Sequence, residues 1–79
     1  MATTADSYLM DVLPELLSRA REARAEARQK PIGEASFEAG RATAYYEVLA
    51  YLVGELDAFG IDRASVRIDA GLDVERDLL

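Results

Sequence analysis

The side chains best suited to chemistry in this chain are carboxylates, because it contains no cysteine and no histidine. Glu34 and Glu38 are four residues apart, a spacing that places both on one face of a helix. Glu55 and Asp57 are two residues apart and point to different faces. A carboxylate-only magnesium site, and a metal-dependent enzyme built on it, would need Glu34, Glu38, Glu47 and Glu55 to converge in one pocket. The spacing does not predict this, so we expect no metal site, no cofactor and no catalytic residue.

The composition argues against most other enzymes and indicates a small soluble protein. Without histidine the chain lacks the usual general base, and without cysteine it has no disulfide or thiolate site. Hydrophobic residues make up 51% and charged residues 30%, a globular balance. The net charge of −6 disfavours nucleic acid and anionic membranes as partners. The sequence shows no signal peptide and no long apolar run, so we expect a cytoplasmic protein with no membrane partner.

The first helix is predicted at about residues 7–30, where apolar residues recur at spacings of three and four. Pro14 leaves its start open. Asp11 could cap a helix whose first turn contains Pro14, or the helix could begin at about residues 4–7 and bend at the proline. The continuing apolar spacing favours the early start, and Pro31 favours an end just before it. The predicted core face consists of Leu9, Leu13, Leu16, Ala20, Ala23 and Ala27.

The second helix is predicted at about residues 34–59 and should end in a Schellman motif. Gly60 occupies the position that favours a left-handed residue, and Ile61 follows as the apolar residue that commonly accompanies this motif. The predicted core face of this helix consists of Ala42, Tyr45, Leu49, Leu52, Leu56 and Phe59.

The two helices should form one antiparallel hairpin, because the connection between them is only about three residues long. Near the turn, Phe37 and Tyr45 are expected to fill space beside the alanines of the first helix. The predicted fold class is therefore all-α: a single domain, residues 1–79, with two long helices and a short irregular C-terminal tail, dimerising into a four-helix bundle.

The C-terminal tail, residues 60–79, allows several predictions. Asp62 and Asp73 could each cap a short helical turn. An alternation of apolar and mostly polar residues is typical of a strand, which would need a partner from another copy. The tail could also lie extended along the helices or be mobile. The alternating residues are Val66, Ile68, Ala70, Leu72 and Val74.

One face of the second helix is made of small residues where long polar side chains are expected on a solvent-facing surface. Glycine in a helix interior costs about 1 kcal/mol relative to alanine, and close approach of another helix would offset that cost. We therefore predict a homodimer with this face, flanked by Tyr51, as its interface. The alternative is that the tail folds back over the face in a monomer. The small-residue face consists of Gly40, Thr43, Glu47, Ala50, Gly54 and Ala58.

Glu38 and Arg41 are separated by three residues near the start of the second helix. The ordinary interpretation is an ion pair within the helix that contributes a few tenths of a kcal/mol. The sharper hypothesis is a buried polar anchor that fixes the register of the dimer.

Arg21, Arg24 and Arg28 share one edge of the first helix and form a possible partner-binding edge. They could contact nucleic acid, although the chain is acidic and no aromatic residue is interleaved with them. The simpler expectation is that they pair with acidic groups of a neighbouring helix.

The leading functional hypothesis is a non-enzymatic, dimeric helical protein that acts as a regulator or adaptor by binding another, unidentified protein. Its acidic surface favours a basic partner. The alternative is a nucleic-acid-binding regulator that uses the arginine edge.

Overall fold

The computed structural model describes residues 3–31, 33 and 36–79, and in these ranges the chain is helical, with no strand. Two long helices, α1 (Thr4–Gln29) and α2 (Ser36–Ala58), form the predicted hairpin. A 3₁₀ turn (Arg63–Val66) and a short helix, α3 (Val74–Leu78), follow within the tail. The first residues of the predicted second helix, Glu34 and Ala35, lie outside the described residues.

The start of α1 is fixed by a capping box at Thr3. The Thr3 hydroxyl accepts a hydrogen bond from the Asp6 backbone N–H at 3.0 Å, and the Asp6 carboxylate accepts one from the Thr3 N–H at 3.1 Å. These bonds satisfy two backbone donors that the first turn of a helix leaves free. The early start is therefore confirmed, and Pro14 lies inside α1. The predicted stop is confirmed too, because Lys30 before Pro31 has an extended backbone.

The Schellman motif at the end of α2 is confirmed. Gly60 has a φ of 70°, and its N–H donates to the Asp57 carbonyl at 3.1 Å. The Ile61 N–H donates to the Leu56 carbonyl at 2.9 Å. These two bonds satisfy carbonyls that the last turn of a helix leaves free, and they direct the chain back toward α1 and α2.

The core lies between α1, α2 and the tail. In α1, Leu17 is buried, whereas Leu16, which was predicted for the core face, is only half-buried. In α2, Val53 is buried in addition to the predicted Leu49. The prediction that Phe59 is a core residue is wrong: it is 76% exposed, because it follows the last turn of α2, where the chain changes direction. The buried core cluster consists of Leu13, Leu17, Ala20, Leu49, Val53, Leu56, Val66, Ile68, Leu72 and Leu78.

The tail is neither a strand nor a loose extension. Asp62 caps the 3₁₀ turn by accepting from the Ala64 N–H at 3.3 Å, and Asp73 caps α3 by accepting from the Arg76 N–H at 3.0 Å. The alternation of apolar residues has another cause than a strand. Arg67 lies between the buried Val66 and Ile68 and adopts a left-handed backbone with φ 63°. The chain therefore changes direction right after the 3₁₀ turn, and the side chains of both Val66 and Ile68 lie in the core.

The molecule is longer and has more surface than a compact chain of its size. It measures 49 × 20 × 16 Å with a radius of gyration of 13.9 Å, where about 11.6 Å is expected. Its solvent-accessible surface is 5424 Å², against about 4,700 Å² for a typical folded monomer of 8.7 kDa. Among the described residues, no helix combines the length and apolar character needed to cross a bilayer.

Replacing Gly54 within α2, or Gly60 just after its end, with alanine should change the free energy of unfolding in opposite directions. Gly60→Ala should lower the free energy of unfolding by about 1–2 kcal/mol, because its positive φ is unfavourable for a residue with a Cβ. Gly54→Ala should raise it by up to about 1 kcal/mol, because a Cβ there meets no atom of the chain within 4 Å. Urea unfolding measures both changes, with Gly60→Asn as the control that tolerates a left-handed backbone. A destabilised Gly54→Ala protein would mean that another molecule occupies the space beside Gly54.

Candidate interaction surface

The tail is held against one side of α2 by a fork of hydrogen bonds from Arg63. Its Nε and Nη2 donate to the Asp57 carboxylate at 3.1 and 2.8 Å, and its Nη1 donates to the Leu72 carbonyl at 2.7 Å. The Arg63 side chain is only 21% exposed, so much of this contact is shielded from water. The hydrogen bond from Arg63 lowers the pKa of Asp57. Arg63 thus ties the end of α2 to the segment that precedes α3.

The far end of the tail contacts the predicted arginine edge of α1. Leu78 is buried, and the main-chain oxygen of Leu79 accepts from Arg24 Nε at 3.3 Å and Arg28 Nη2 at 3.4 Å. Two of the three arginines therefore contact the protein itself. The third, Arg21, is exposed and adds its charge near α3. The structure places all three beside the tail, and Arg24 and Arg28 donate to a main-chain oxygen rather than to the acidic groups of a neighbouring helix that the sequence favoured.

Glu38 and Arg41 do not pair with each other. Glu38 is 3.6 Å from Lys30 Nζ across the turn, and Arg41 Nη1 donates to the Glu26 carboxylate of α1 at 3.0 Å. The prediction of an ion pair within α2 is wrong, because Arg41 is long enough to reach Glu26 on α1 and Glu38 to reach Lys30 just after that helix. The Arg41 guanidinium also lies 5.5 Å from the centroid of the Tyr45 ring, a cation–π distance. Neither side chain is a buried anchor within the single chain.

The small-residue face lies on the side of α2 away from α1 and is largely exposed. A Cβ built on Gly40 or Gly54 meets nothing within 4 Å, so the single chain gives no packing reason for either glycine. The tail reaches one edge of this face: Thr43 lines a groove with Leu78, and the half-buried Ala50 lines a cleft with Leu72. The alternative in which the tail folds back thus accounts for that edge. Gly40, Glu47, Tyr51, Gly54 and Ala58 remain exposed.

A second exposed surface, which sequence reasoning missed, runs along α2 about 90° around the helix from the small-residue face and shares its border at Tyr51. Phe37 is 77%, Val48 50%, Tyr51 67% and Phe59 76% exposed. Phe37 does not fill space beside the alanines of α1, contrary to the prediction, because its position turns it outward. We call these residues, together with the exposed Ala44, the apolar stripe: Phe37, Ala44, Val48, Tyr51 and Phe59. Sequence reasoning had already placed Ala44 and Tyr51 at the border of the small-residue face; the missing signal was the spacing of Phe37, Val48 and Phe59.

The apolar stripe borders a groove between α1 and α2. The groove has a volume of about 290 Å³ and is lined by Leu16 of α1 and by Arg41, Ala44, Tyr45 and Val48 of α2. Apart from the Arg41 guanidinium and the Tyr45 hydroxyl, these side chains are apolar. The surface is therefore suited to apolar contact with a macromolecule and offers few groups for chemistry on a small substrate.

The carboxylates considered as metal ligands are separated or already paired. Glu38 contacts Lys30, whereas Glu47 and Glu55 are exposed on α2, and Glu34 lies outside the described residues. Within the ranges that the structure describes, no group of three or more acidic residues is placed to hold a metal ion.

Acidification should loosen α3. A hydrogen bond from Arg76, and next one from the Asp73 N–H, lower the pKa of Asp77 from 3.8 to about 2. A lowered carboxyl pKa contributes stability that is present above its ordinary value and is lost as the pH falls through its folded value. We therefore expect the amides of α3 to lose hydrogen-exchange protection between about pH 4 and about pH 2. Asp77→Asn should reduce this dependence, and Glu75→Gln in the same helix is the control. An unchanged profile for Asp77→Asn would contradict the assignment.

Removing the Arg63 fork should free the tail. Arg63→Ala should lower the free energy of unfolding by about 1–3 kcal/mol, because it leaves the half-shielded Leu72 carbonyl without its charged donor. Arg63→Lys keeps the charge but not the fork and should recover only part of the loss. Arg19→Ala, which removes an exposed pair with Glu15, should cost less than about 1 kcal/mol. Urea unfolding compares the three variants, and equal losses for Arg63→Ala and Arg19→Ala would show that the fork does not hold the tail.

The chain was compared with protein-family models, with curated proteins and with solved structures, and nothing matches it. The comparisons therefore assign no family, activity or partner. Any inference about function has to come from the surfaces described above, chiefly the apolar stripe, the small-residue face and the tail.

Proposed function

We propose that this chain is a non-enzymatic helical protein that forms a homodimer and acts, as a regulator or adaptor, by binding another protein. The observation that carries the proposal is the apolar stripe, whose four large side chains are each at least half exposed along one side of α2. Scattered exposed apolar residues are ordinary, but large apolar residues that recur along one side of a helix, here with Arg41 and Glu55 between them, are typical of a protein interface. Three of the four are aromatic, a residue class enriched at interfaces.

The size and shape of the chain favour a second copy as the occupant of part of this surface. A domain of 79 residues buries a small core and commonly gains stability by oligomerisation. The surface in excess of a typical monomer, about 700 Å², is close to the roughly 800 Å² that each partner buries in an interface of standard size. A four-helix bundle of two hairpins would remove this surface from water.

The charge of the chain favours a basic protein as the further partner. The net charge is −6, and the cleft between α2 and the tail, about 440 Å³ in volume, is bordered by Asp73, Glu75 and Asp57, the last of which is paired with Arg63. The alternative of a nucleic-acid partner has less support, since Arg24 and Arg28 already donate hydrogen bonds to Leu79. An electrostatic contact with phosphates would compete with the docking of the tail.

Sedimentation equilibrium at micromolar concentration tests the dimer. We expect a mass of about twice 8.7 kDa, together with a thermal midpoint that rises with protein concentration, because association stabilises the folded state by mass action. A monomer throughout the micromolar range, with a midpoint independent of concentration, would overturn the proposal.

Titration with RNA and DNA at low and high salt tests the alternative. We expect no binding that depends on salt, and no difference between the natural chain and Arg21→Glu, a change that leaves the hydrogen bonds of Arg24 and Arg28 in place. Salt-dependent binding that Arg21→Glu weakens would favour the nucleic-acid-binding function instead.

A further inference from the structure

We infer that the dimer is built by two antiparallel α2 helices that cross at Val48, with the apolar stripe of each chain on the other. This inference rests on the proposed homodimer and assigns its interface. It differs from the interface predicted from the sequence, because the small-residue face lies outside the contact and only Tyr51 belongs to both.

The spacing along α2 is that of a helix–helix seam. Seven positions follow one another at intervals of four and three residues, with a final interval of four. At about 100° per residue they fall within about 80° of the helix circumference, and they extend for about 33 Å. Alternating intervals of four and three let one helix remain in contact with another along its length. The positions are Phe37, Arg41, Ala44, Val48, Tyr51, Glu55 and Phe59.

When one copy runs antiparallel to the other, five of the seven seam positions lie opposite seam positions of the partner. With Val48 on the two-fold axis, Phe37 lies opposite the partner's Phe59, since both are eleven residues from Val48. By the same count, Ala44 lies opposite the partner's Leu52 and Tyr45 opposite the partner's Tyr51. Ala44 thus meets a larger residue, and the two most exposed large apolar side chains, Phe37 and Phe59, lie opposite each other. An isologous two-fold interface requires this kind of symmetry.

Charge fixes the antiparallel direction. Arg41 and Glu55 are each seven residues from Val48, so each Arg41 lies opposite the partner's Glu55. In a parallel pair Arg41 would face Arg41 and Glu55 would face Glu55, and like charges at flanking positions disfavour an arrangement. Glu55 is exposed in the single chain, and the Arg41 side chain keeps 35% of its surface exposed beside its contact with Glu26. Both groups can therefore contact a second copy without leaving their present positions.

The groove beside the stripe provides room for the partner. It lies at Arg41, Ala44, Tyr45 and Val48, the half of the seam that faces the partner's residues 48–55 in the antiparallel register. The partner's Tyr51 therefore approaches the groove with its ring against apolar side chains and its hydroxyl at the edge, an arrangement that suits tyrosine at interfaces.

The small-residue face is a poorer interface for three reasons. Its residues offer little apolar area, its centre includes the charged Glu47, and the tail already lies along its edge, where Ala50 is half-buried and the exposed Thr43 lines a groove with Leu78. The centre of the apolar stripe lies about 140° around α2 from Ala50, which lines the cleft with the tail, so a second copy can dock there with the tail in place.

Cysteine cross-linking maps the interface directly, because the chain has no cysteine of its own. Val48→Cys should form a disulfide-linked dimer rapidly under mild oxidation, because a residue on the two-fold axis lies next to itself. Gly54→Cys, on the small-residue face, is the matched control and should cross-link far more slowly. A mixture of Phe37→Cys and Phe59→Cys should yield the mixed dimer rather than either homodimer, which reports the antiparallel direction.

Interface variants test the same assignment in solution. Val48→Asp should raise the dissociation constant about 100-fold or more with an unchanged far-ultraviolet circular dichroism spectrum, because two carboxylates would meet at the axis of an apolar contact. Gly54→Leu should leave the dissociation constant unchanged. Arg41→Glu and Glu55→Arg should each weaken the dimer about 10-fold, and the double variant should recover most of the loss. Glu26→Gln, which removes only the partner of Arg41 within the chain, is the control for the first of these.

The outcomes distinguish an error in the assigned interface from an error in the proposed homodimer. A natural chain that dimerises, but whose dimer is insensitive to Val48→Asp and cross-links through Gly54→Cys, overturns this interface and restores the small-residue face. Cross-links of Phe37→Cys to itself overturn the antiparallel direction. A natural chain that stays monomeric overturns the homodimer itself, and with it this inference.

Discussion

The structure depends on a mismatch between the apolar surface of α2 and the elements that can cover it. Helix α1 covers one side through Leu13, Leu17 and Ala20, and the tail covers a second through Leu72 and Leu78. Within the residues that the structure describes, the remaining side of α2, which carries the apolar stripe, is exposed. Because apolar burial is the main favourable term in folding, a small chain with this much exposed surface gains most from associating with a partner.

The tail solves part of this problem by specific polar contacts as well as by burial. Arg63 joins α2 to the Leu72 carbonyl, while Arg24 and Arg28 donate to Leu79 at the other end of the segment. Each of these arginines donates to a residue outside its own helix or turn, so the contacts fix the position of the tail along the hairpin. Apolar side chains alone would allow the tail to slide, since hydrophobic contact has no direction.

The elements that could be predicted from the sequence are those set by neighbouring residues. The intervals of three and four in α1 and α2, the left-handed Gly60, the stop before Pro31 and the caps at Asp62 and Asp73 all depend on local chemistry. The all-helical hairpin therefore followed from the pattern alone. The capping box at Thr3 was also present in the sequence as a Thr-x-x-Asp pattern.

The exposed surfaces could not be predicted in the same way, because exposure depends on which residues are adjacent in space. Phe59 continues the core spacing of α2 but lies past its last turn, and Arg41 reaches Glu26 on another helix rather than Glu38 on its own. The destination of the tail depended on contacts between residues more than fifty positions apart, as in the bond from Arg24 to Leu79. Periodicity carries no information about such pairs, so the sequence could not show which of the apolar spacings of α2 is covered and which is exposed.

The long reach of that bond has a consequence for folding during synthesis. The hairpin can assemble once Gly60 has left the ribosome, but Ile68, Leu72 and Leu78 belong to the same core and are made last. Until then α2 has two uncovered apolar sides instead of one, and the nascent chain is at its most prone to contact other nascent chains. Contacts of such high sequence separation are also slow to form, because a long loop must close before they stabilise the chain. The tail residues are thus added to the core after the hairpin, and the side of α2 that they cover is exposed until then.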